Sequence, residues 1–371
     1  MPFDALRPEW KVLAVDGVNL LDRAADLAGY PLRVGVGLHG PADAVDAAGR
    51  ALAVQGAWRV TNRDPARMTV LAMTGVTALA RVTARRMDEV DVTYPAGDIL
   101  PVLEQADILH VSNEVSFSPD CQPDYRWTSM SFCARASYFD LLTHIGVDVV
   151  ELTGNHLNDY GTAGLDYSLG LFEAAGMGVF GGGRNLEAAR APWRTEHNGN
   201  TFAFVGCNPV GPPNAYATAD RPGAAPCDYG ALRQQIGALA GEVDVVVVTQ
   251  QYWEFDHANP TPQQVEDFSS LARAGADIVS GSQAHQPQGL AFVEGRFVHY
   301  GLGNLFFDQM QAVNLREMFI DLHVIYEGRH ISTALFTGML EDFARPRPMT
   351  PDERRDFLGR LFDAPPLCAA Q

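Results

Sequence analysis

The sequence predicts a layered α/β fold, in which central mixed sheets are flanked by helices. Short apolar runs rich in β-branched residues predict buried strands, and residues 147–152 and 244–249 are two examples. Runs with helical spacing alternate with such strands, as in residues 162–175 and 261–274. This alternation, followed by a closing hairpin over 319–335, indicates a mixed sheet that carries helices on its outer faces.

The remaining elements follow from the same patterns, taken in chain order. Helical spacing, with proline opening the first segment, predicts further helices over 41–54, 75–87, 99–105, 137–144 and 231–240. Short apolar runs predict further strands over 11–15, 31–38, 58–62, 68–73, 107–111, 178–180, 201–205, 277–280 and 296–300. The polar segment 121–132 and the long Pro/Ala/Gly segment 209–226 predict loops, and loops of the second length often bind ligands.

Composition limits the class of partner. The chain has 371 residues and a net charge of −18, without a basic run, so we expect no nucleic-acid partner. It contains no run of about 18 apolar residues, so we expect no membrane span. Its first residues lack the layout of a signal peptide, so we expect a cytoplasmic protein. The pairs Cys121–Cys133 and Cys207–Cys227 suit bridges in a secreted protein, but in the cytoplasm we expect free thiols.

Polar residues stand where several apolar strands end. In an open α/β sheet, ligands bind at the carboxyl ends of the strands, so these residues are expected to converge on one cleft. Carboxylate, amide and imidazole groups together suit a metal site or acid–base chemistry. The residues concerned are Glu114, Asn155, His156, Gln251, His285 and Asn304.

Five stretches of the sequence carry a resemblance to a known family. They read ADILHVSNEVSF, VVELTGNHLNDYG, GVFGGGRNLEAAR, GADIVSGSQAHQP and VHYGLGNLFF. Together they resemble the CapA family of poly-γ-glutamate synthesis proteins, over about residues 70–304. The resemblance implies a metallophosphoesterase-like fold, with an N-terminal addition over 1–66, the family domain over 67–345 and a C-terminal tail over 346–371.

Three departures from the family pattern remove expected metal ligands. Val76, Gln251 and Ser282 stand where the resemblance implies an aspartate and two histidines. A two-metal site needs a bridging carboxylate and about three or four ligands for each ion. We therefore expect no metal and no cofactor in the pocket, although a single weakly held ion is left open.

A metal-free pocket suits general acid–base chemistry. The chain is similar to the MslH-type peptide epimerases of lasso-peptide biosynthesis, which implies inversion of a Cα centre, from L to D, in a ribosomal precursor peptide. By resemblance of the local motifs, the acid–base pair is Asp16 and His299. His156 and Glu114 are the other two expected catalytic residues. The expected substrate-binding residues are Asn155, Gln251, Ser282, His285, Asn304 and Trp253.

Other interpretations of these residues stay open. Asp16 precedes Gly17 and suits a turn, His299 suits a satisfied core histidine, and Trp253 suits the core. For the whole chain, the alternatives are a metal-dependent phosphoesterase and a non-catalytic accessory protein that handles a capsule polymer. Whether the protein forms a homo-oligomer is also left open.

Overall fold

The computed structural model describes residues 3–54, 61–254 and 257–362. Within these ranges, two large mixed sheets lie face to face with helices outside them, which confirms the predicted fold class. The strands are β1 Met68–Thr74, β2 Val76–Thr77, β3 Ile108–Asn113, β4 Phe117–Ser118, β5 Ala134–Arg135, β6 Val149–Glu151, β7 Gly178–Phe180, β8 Gly182–Gly183, β9 Trp193–His197, β10 Asn200–Cys207, β11 Gly223–Ala224, β12 Val245–Gln251, β13 Ile278–Ser282, β14 Leu290–Val293, β15 Arg296–His299, β16 Asn304–Phe306, β17 Glu317–Tyr326, β18 Arg329–Glu341 and β19 Arg345–Pro348. The helices are α1 Ala42–Val54, α2 Arg81–Glu89, α3 Leu100–Leu103, α4 Phe139–His144, α5 Thr162–Ala174, α6 Leu186–Arg190, α7 Tyr229–Leu239, α8 Pro262–Ala274, α9 Val313–Arg316 and α10 Pro351–Phe362.

The first sheet joins a parallel half to an antiparallel half. Strand β3 runs parallel to β1, β2 and β6, and β7 continues the parallel half beyond β6. On the other side, β1 pairs antiparallel with β17, and β17, β18 and β19 form an antiparallel meander. The carboxyl ends of β3 and β6 therefore open at the same edge of the sheet.

The second sheet is parallel at its centre and antiparallel at its edges. Strand β12 lies between the parallel strands β10 and β13, and β15 runs parallel to β13. The antiparallel strands β9 and β14 close the two edges. Long apolar runs such as that of β12 are typical of strands that are covered on both faces.

Aromatic and aliphatic side chains from both sheets meet between them. Phe180 of the first sheet lies 5.6 Å, between ring centroids, from Phe204 of the second. On the outer faces, α2, α4 and α5 pack on the first sheet and α7 and α8 pack on the second. The shared cluster includes Leu71, Met73, Ile108, Val149, Phe180, Phe202, Phe204, Val245, Val247, Ile278 and Phe297.

The predicted elements of the central chain are present, with ends that shift by a few residues. The exception is the predicted helix over 75–87, which begins only at Arg81 because Val76 and Thr77 pair with the sheet. The predicted strands over 11–15 and 31–38 are wrong: both segments are irregular, and Val34 is 84% exposed. Without a partner strand their β-branched residues have no ladder to join. Residues 58–60 of the strand predicted over 58–62 lie outside the described residues, and residues 61–62 form no strand.

Both ends of the described chain pack on the sandwich. Near the N-terminus, Phe3 lies against Tyr326 of β17 with a ring-centroid distance of 5.1 Å. Near the other end, β19 pairs with β18, and Phe357 of α10 lies 4.9 Å from Phe319 between ring centroids. None of the helices in the described ranges combines the length and apolar character needed to cross a membrane.

Candidate active site

Polar side chains gather where strands of both sheets end. In the first sheet, Glu114 follows β3 and His156 lies in the turn after β6. In the second sheet, Gln251 closes β12 and His285 follows β13. The side-chain amide of Gln251 donates to Oδ1 of Asn155 over 2.7 Å, so the two sheets are joined directly at this edge.

The turn after β6 lies so close to Glu114 that only glycine fits at its start. A Cβ on Gly154 would lie 2.8 Å from both the Cα and the carbonyl oxygen of Glu114. The backbone of His156 also forms a parallel bridge with Val115. As a result, Nε2 of His156 lies 4.0 Å from Oε1 of Glu114.

The imidazole of His156 is oriented by Asp159. Nδ1 of His156 donates to Oδ2 of Asp159 over 2.6 Å, and the backbone N–H of Phe132 donates to the same oxygen over 2.9 Å. Burial lowers the pKa of His156, but the Asp159 hydrogen bond and the charge of Glu114 outweigh it and raise the pKa above its ordinary value. The imidazolium form is therefore favoured.

Both ring nitrogens of His285 face hydrogen-bond acceptors. Nδ1 lies 2.8 Å from Oδ1 of Asn304, and Nε2 lies 3.2 Å from Oε1 of Glu254. The Asn304 amide orientation is fixed, since its nitrogen lies within hydrogen-bond distance of three carbonyl-type oxygens and can share its two hydrogens among them. Burial lowers the pKa of His285, but Glu254 and Glu114 raise it further, so this histidine also favours the imidazolium form.

The loop that carries His285 has an unusual backbone. Gln283 has φ of 82° and His285 has φ of 54°, in the left-handed region that side chains other than glycine rarely adopt. Such conformations cost of order 1–3 kcal/mol each and cluster at functional sites. The loop geometry therefore supports a functional role for this histidine.

Glu114 is the buried carboxyl group whose charge helps to raise the pKa of both His156 and His285. It is 3% exposed, and neither carboxylate oxygen has a hydrogen-bond partner among the described residues. An unpaired buried charge is costly, and the positive charges of His156 and His285 offset that cost. The carboxylate oxygens are thus stabilised by charge while their lone pairs remain available to a substrate.

A chain of side-chain amides continues from this cluster toward the cleft mouth. Gln251 donates to Gln283, which donates to Oε1 of Glu254 over 2.9 Å. Asn208 donates to Oε1 of Gln251 over 3.4 Å. The Glu254 side chain is 61% exposed, so the chain of polar groups runs from the buried site to solvent.

Two predicted binding residues lie outside this network. Ser282 points between the sheets, where its hydroxyl donates to Oε1 of Glu151 over 3.0 Å. Trp253 is 54% exposed and lies at the rim, next to Glu254 in the chain. The predicted residues that the network brings together are Glu114, Asn155, His156, Gln251, His285 and Asn304.

The predicted acid–base pair lies in different surroundings. His299 is fully buried, with Nδ1 2.6 Å from Oδ2 of Asp321 and Nε2 3.1 Å from the carbonyl oxygen of Gln288. Asp16 is an exposed turn residue with φ of 51°. Neither shares a described contact with Glu114, so their joint role stays a prediction.

Sequence reasoning missed Asp159, Glu254, Phe132 and Arg81. The spacing of His156 and Asp159, three residues apart in GNHLND, was a usable signal for an orienting carboxylate. Glu254 also lies close to a strand end, three residues after Gln251 at the end of β12. Phe132 and Arg81 offered no signal, because their contacts come from distant parts of the chain.

The residues of the cleft do not fit the two-metal centre that the metallophosphoesterase-like fold implies. Val76 offers no donor atom, and Gln251 offers only a neutral amide oxygen, which already accepts from Asn208 over 3.4 Å. His285 directs both nitrogens at acceptors and so has no lone pair for a metal ion. Within the described ranges, no group of three or more His, Cys, Asp or Glu side chains is arranged to hold a metal ion.

Two disulfides flank the site, so the expectation of free thiols at these four positions is wrong. Cys121 is joined to Cys133, in the loop that carries Phe132. Cys207 is joined to Cys227, across the loop whose carbonyl oxygens at Asn214 and Pro222 accept from Asn158. Both loops therefore hold the turn over 155–159.

Comparison with known proteins settles the family. The model of the bacterial capsule synthesis protein PGA_cap matches residues 68–309. The chain belongs to this family. The resemblance to the CapA family is thereby confirmed, and the matched range contains all of the gathered polar residues named above.

Curated relatives of this chain carry related names. It is 24% identical over 297 residues to the "Capsule biosynthesis protein CapA" of Bacillus anthracis, covering 78% of this chain and 72% of that protein. It is 30% identical over 171 residues to the "PGA biosynthesis protein CapA" of Bacillus subtilis (strain 168), covering 46% and 45%. A "Probable polyglutamine synthesis accessory protein" of Mycobacterium tuberculosis is 27% identical over 271 residues, covering 68% and 70%.

Solved structures with a similar fold are more distant. A 5'-nucleotidase precursor from Thermus thermophilus has a TM-score of 0.46 and 15% identity, covering 77% of this chain and 55% of that one. The calcineurin-like phosphoesterase YfkN from Bacillus subtilis has a TM-score of 0.44 and 13% identity, covering 73% and 90%.

Proposed function

We propose that this capsule-synthesis family member is a cofactor-independent acid–base enzyme that inverts a Cα centre in a peptide substrate. The observation that carries the proposal is the buried Glu114 carboxylate, which has no hydrogen-bond partner among the described residues and lies beside two imidazoles whose pKa values are raised. A purely structural protein gains nothing from an unpaired buried carboxylate, since leaving such a group unpaired is costly.

In this proposal, Glu114 is the base. Its carboxylate takes the Cα proton, and the electron pair of the broken C–H bond moves onto the adjacent carbonyl oxygen. The imidazolium of His156, whose Nε2 lies 4.0 Å from Glu114, stabilises the negative charge that develops. A preorganised positive charge in a buried site costs no reorganisation during the reaction.

His285 supplies the new proton from the other face of the substrate. Its imidazolium proton goes to the carbanionic carbon, and the exposed Glu254 carboxylate links the emptied nitrogen to solvent. Glu114 then returns its proton to solvent, which restores the starting charge state. The acid–base pair is thus reassigned from Asp16 and His299 to two groups of the cleft.

The chemistry of the substrate follows from the amide groups that surround the pair. Asn155, held by the side-chain amide of Gln251, presents its own side-chain amide at this edge, and an amide is a natural partner for a peptide backbone. A ribosomal precursor peptide is the substrate implied by the epimerase resemblance. The names of the relatives suggest a glutamate polymer instead, although the net charge of −18 opposes binding a polyanion.

The disulfides bear on where the reaction takes place. Structural disulfides persist in oxidising compartments and are rare in the cytoplasm. The pairs Cys121–Cys133 and Cys207–Cys227 therefore favour an oxidising compartment over the cytoplasmic location expected from the sequence. A periplasmic or surface location would in turn favour a polymer or a mature peptide as the substrate.

Deuterium uptake tests the proposal. The EDTA-treated protein is incubated in D2O with a precursor peptide from its genomic neighbourhood, and separately with a γ-linked glutamate oligomer. The expected result is a gain of one mass unit per inverted residue, with D-amino acid after hydrolysis. The absence of uptake with both probes would refute the proposal, and cleavage that EDTA abolishes would indicate a metal-dependent hydrolase.

A further inference from the structure

The two imidazoles of the site rest on two phenylalanine rings. The ring of His156 lies 4.1 Å from that of Phe132 between centroids, with 32° between the planes. The ring of His285 lies 5.3 Å from that of Phe307, with 33° between the planes. Phe132 and Phe307 touch each other edge to face at 5.9 Å. Each histidine therefore has the same kind of support, and the two supports are in contact.

A single guanidinium lies over both phenylalanine rings. Cζ of Arg81 is 5.0 Å from the centroid of Phe132 and 4.4 Å from that of Phe307. The Arg81 side chain is only 8% exposed, so these cation–π contacts are shielded from water. Cation–π contacts of this kind are stronger when they are desolvated than when they are exposed to water.

Arg81 is held in place by a buried carboxylate. Its Nε donates to Oδ1 of Asp308 over 3.0 Å, its Nη2 contacts the same oxygen, and Asp308 is fully buried. The other oxygen of Asp308 accepts the backbone N–H of Val82 over 3.1 Å. Burial raises the pKa of Asp308, and the Arg81 charge counteracts this rise. Asp308 therefore holds the Arg81 side chain and the first turn of α2 together.

The backbone at Arg81 is itself unusual. Arg81 has φ of 50°, although it opens helix α2 and is not a glycine. Left-handed backbone at such a residue costs free energy and persists where the surroundings hold it. Here the surroundings are Asp308 and the two rings, which place the guanidinium between the supports of the two histidines.

We propose that Arg81 is a positioning residue that clamps Phe132 and Phe307 so that the His156 and His285 rings keep their places around Glu114. This inference rests on the proposed acid–base function for its catalytic meaning, but the clamp itself is a structural statement. Because Phe132 also donates its backbone N–H to Asp159, movement of the clamp would disturb the orientation of His156 as well.

The first variant is Arg81→Lys, which keeps the charge but loses the planar fork and its stacking. The matched control is Arg86→Lys in the same helix. Arg86 also binds an aspartate, Asp342, and lies 5.5 Å from the ring centroid of Tyr94, yet it makes no described contact with the site. Both variants are compared by the imidazole Cε1–Hε1 NMR signals, assigned with His156→Gln and His285→Gln.

The clamp predicts that Arg81→Lys moves the signals of both site histidines, because the ring currents of both phenylalanines change. The same variant should lower kcat for deuterium exchange by about 10- to 100-fold with KM little changed, since small misplacements in a site have effects of this size. Arg86→Lys should leave both signals and kcat unchanged. The proposal would be overturned if the His156 and His285 signals were the same in Arg81→Lys as in Arg86→Lys.

A second variant decides the question if Arg81→Lys does not fold. Phe132→Leu should move the signal of the distant His285 as well as that of His156, because Phe307, on which His285 rests, contacts both Phe132 and Arg81. A response confined to His156 would contradict the clamp. The NMR results need no substrate, so a failure of the proposed epimerase activity would leave this test intact, and a failure of the clamp would leave deuterium uptake by the unmodified protein intact.

Discussion

Two buried groups of histidines and carboxylates lie in this protein, and they differ in how their atoms are used. Between the sheets, His299 has a partner at each ring nitrogen, and His110 Nε2 lies 3.2 Å from Oε2 of Glu151. At the strand ends, Glu114 has hydrogen-bond partners for neither oxygen among the described residues. We call the first group closed because its two carboxylates, Glu151 and Asp321, have an ion-pair or hydrogen-bond partner, although Oδ1 of Asp321 and Nε2 of His323 have no hydrogen-bond partner among the described residues. We call the second group open because neither oxygen of its carboxylate, Glu114, has one.

Residue type and burial alone do not distinguish a structural carboxylate from one that can react with a substrate. Glu151 and Glu114 are both nearly inaccessible, at 1% and 3% exposure. Burial raises the pKa of Glu151, but His110, Thr153 and Ser282 outweigh it and lower the pKa overall. Glu114 lacks such hydrogen bonds, so its lone pairs remain available for a substrate proton.

The largest expected effect comes from replacing the two glutamates with glutamine. Glu114→Gln should lower the rate of Cα exchange by about 10²- to 10⁴-fold, since it removes the general base. Glu151→Gln should instead destabilise the fold by about 3–5 kcal/mol, because breaking a buried ion pair leaves its partner uncompensated. Urea denaturation and deuterium uptake on both variants measure the difference.

The two variants thus act as controls for each other. Glu114→Gln should leave the free energy of unfolding unchanged or slightly increased, since a costly buried charge is removed. If the free energy of unfolding of Glu114→Gln fell by several kcal/mol and its exchange rate stayed intact, both glutamates would be structural residues.

Reduction of the two disulfides should disturb the arrangement of the open group before that of the closed group. Each disulfide stabilises the fold by about 3 kcal/mol in the chain-entropy account, and both hold loops around the 155–159 turn. In dithiothreitol, activity should fall at denaturant concentrations where the far-UV circular dichroism is still native. Cys121→Ser/Cys133→Ser should reproduce this loss without reductant, and full activity of that variant would contradict it.

The two groups should respond to pH in opposite directions. Burial, with help from neighbouring histidines, holds the pKa of His323 between the sheets well below 6.5. The stability it contributes is present above pH 6.5 and is lost as pH falls below that value, since the unfolded chain binds the proton more readily. The raised pKa values of His156 and His285 have the opposite sign: their imidazolium forms are lost as pH rises through those values.

Measured profiles check these signs. Between pH 7 and pH 5, the urea midpoint of His323→Gln should rise relative to that of the unmodified protein, because the variant lacks the destabilising protonation of His323. The exchange rate should instead fall on the alkaline side, as the imidazolium forms are lost. An exchange rate that only rises with pH above 6.5 would contradict the assigned roles.

The smallest effect is expected at Asp16. This residue is exposed and lies in a turn, so Asp16→Asn should change the free energy of unfolding by less than about 0.5 kcal/mol. Deuterium uptake should also stay at the level of the unmodified protein. Loss of uptake in this variant would restore the acid–base role that the epimerase resemblance assigned to it.

Local patterns were enough to predict most strands and helices of the two sheets and the strand ends that meet in the cleft. They could not show that Val34 lies in an irregular segment, because strand formation depends on a partner strand. Nor could they separate His299 from His285: both follow or end strands of the second sheet, and their partners Asp321 and Asn304 come from elsewhere in the chain. The positioning contact of Arg81 with Asp308 spans 227 residues and leaves no local signature.

The central claim is that proton transfer belongs to the open group and not to the closed one. The most direct measurement is deuterium uptake at Cα in the presence of EDTA by Glu114→Gln and His299→Asn, each compared with the unmodified protein under conditions where it is folded. The account predicts that Glu114→Gln abolishes uptake while folded His299→Asn retains it. Uptake retained in Glu114→Gln and abolished in His299→Asn would contradict the account.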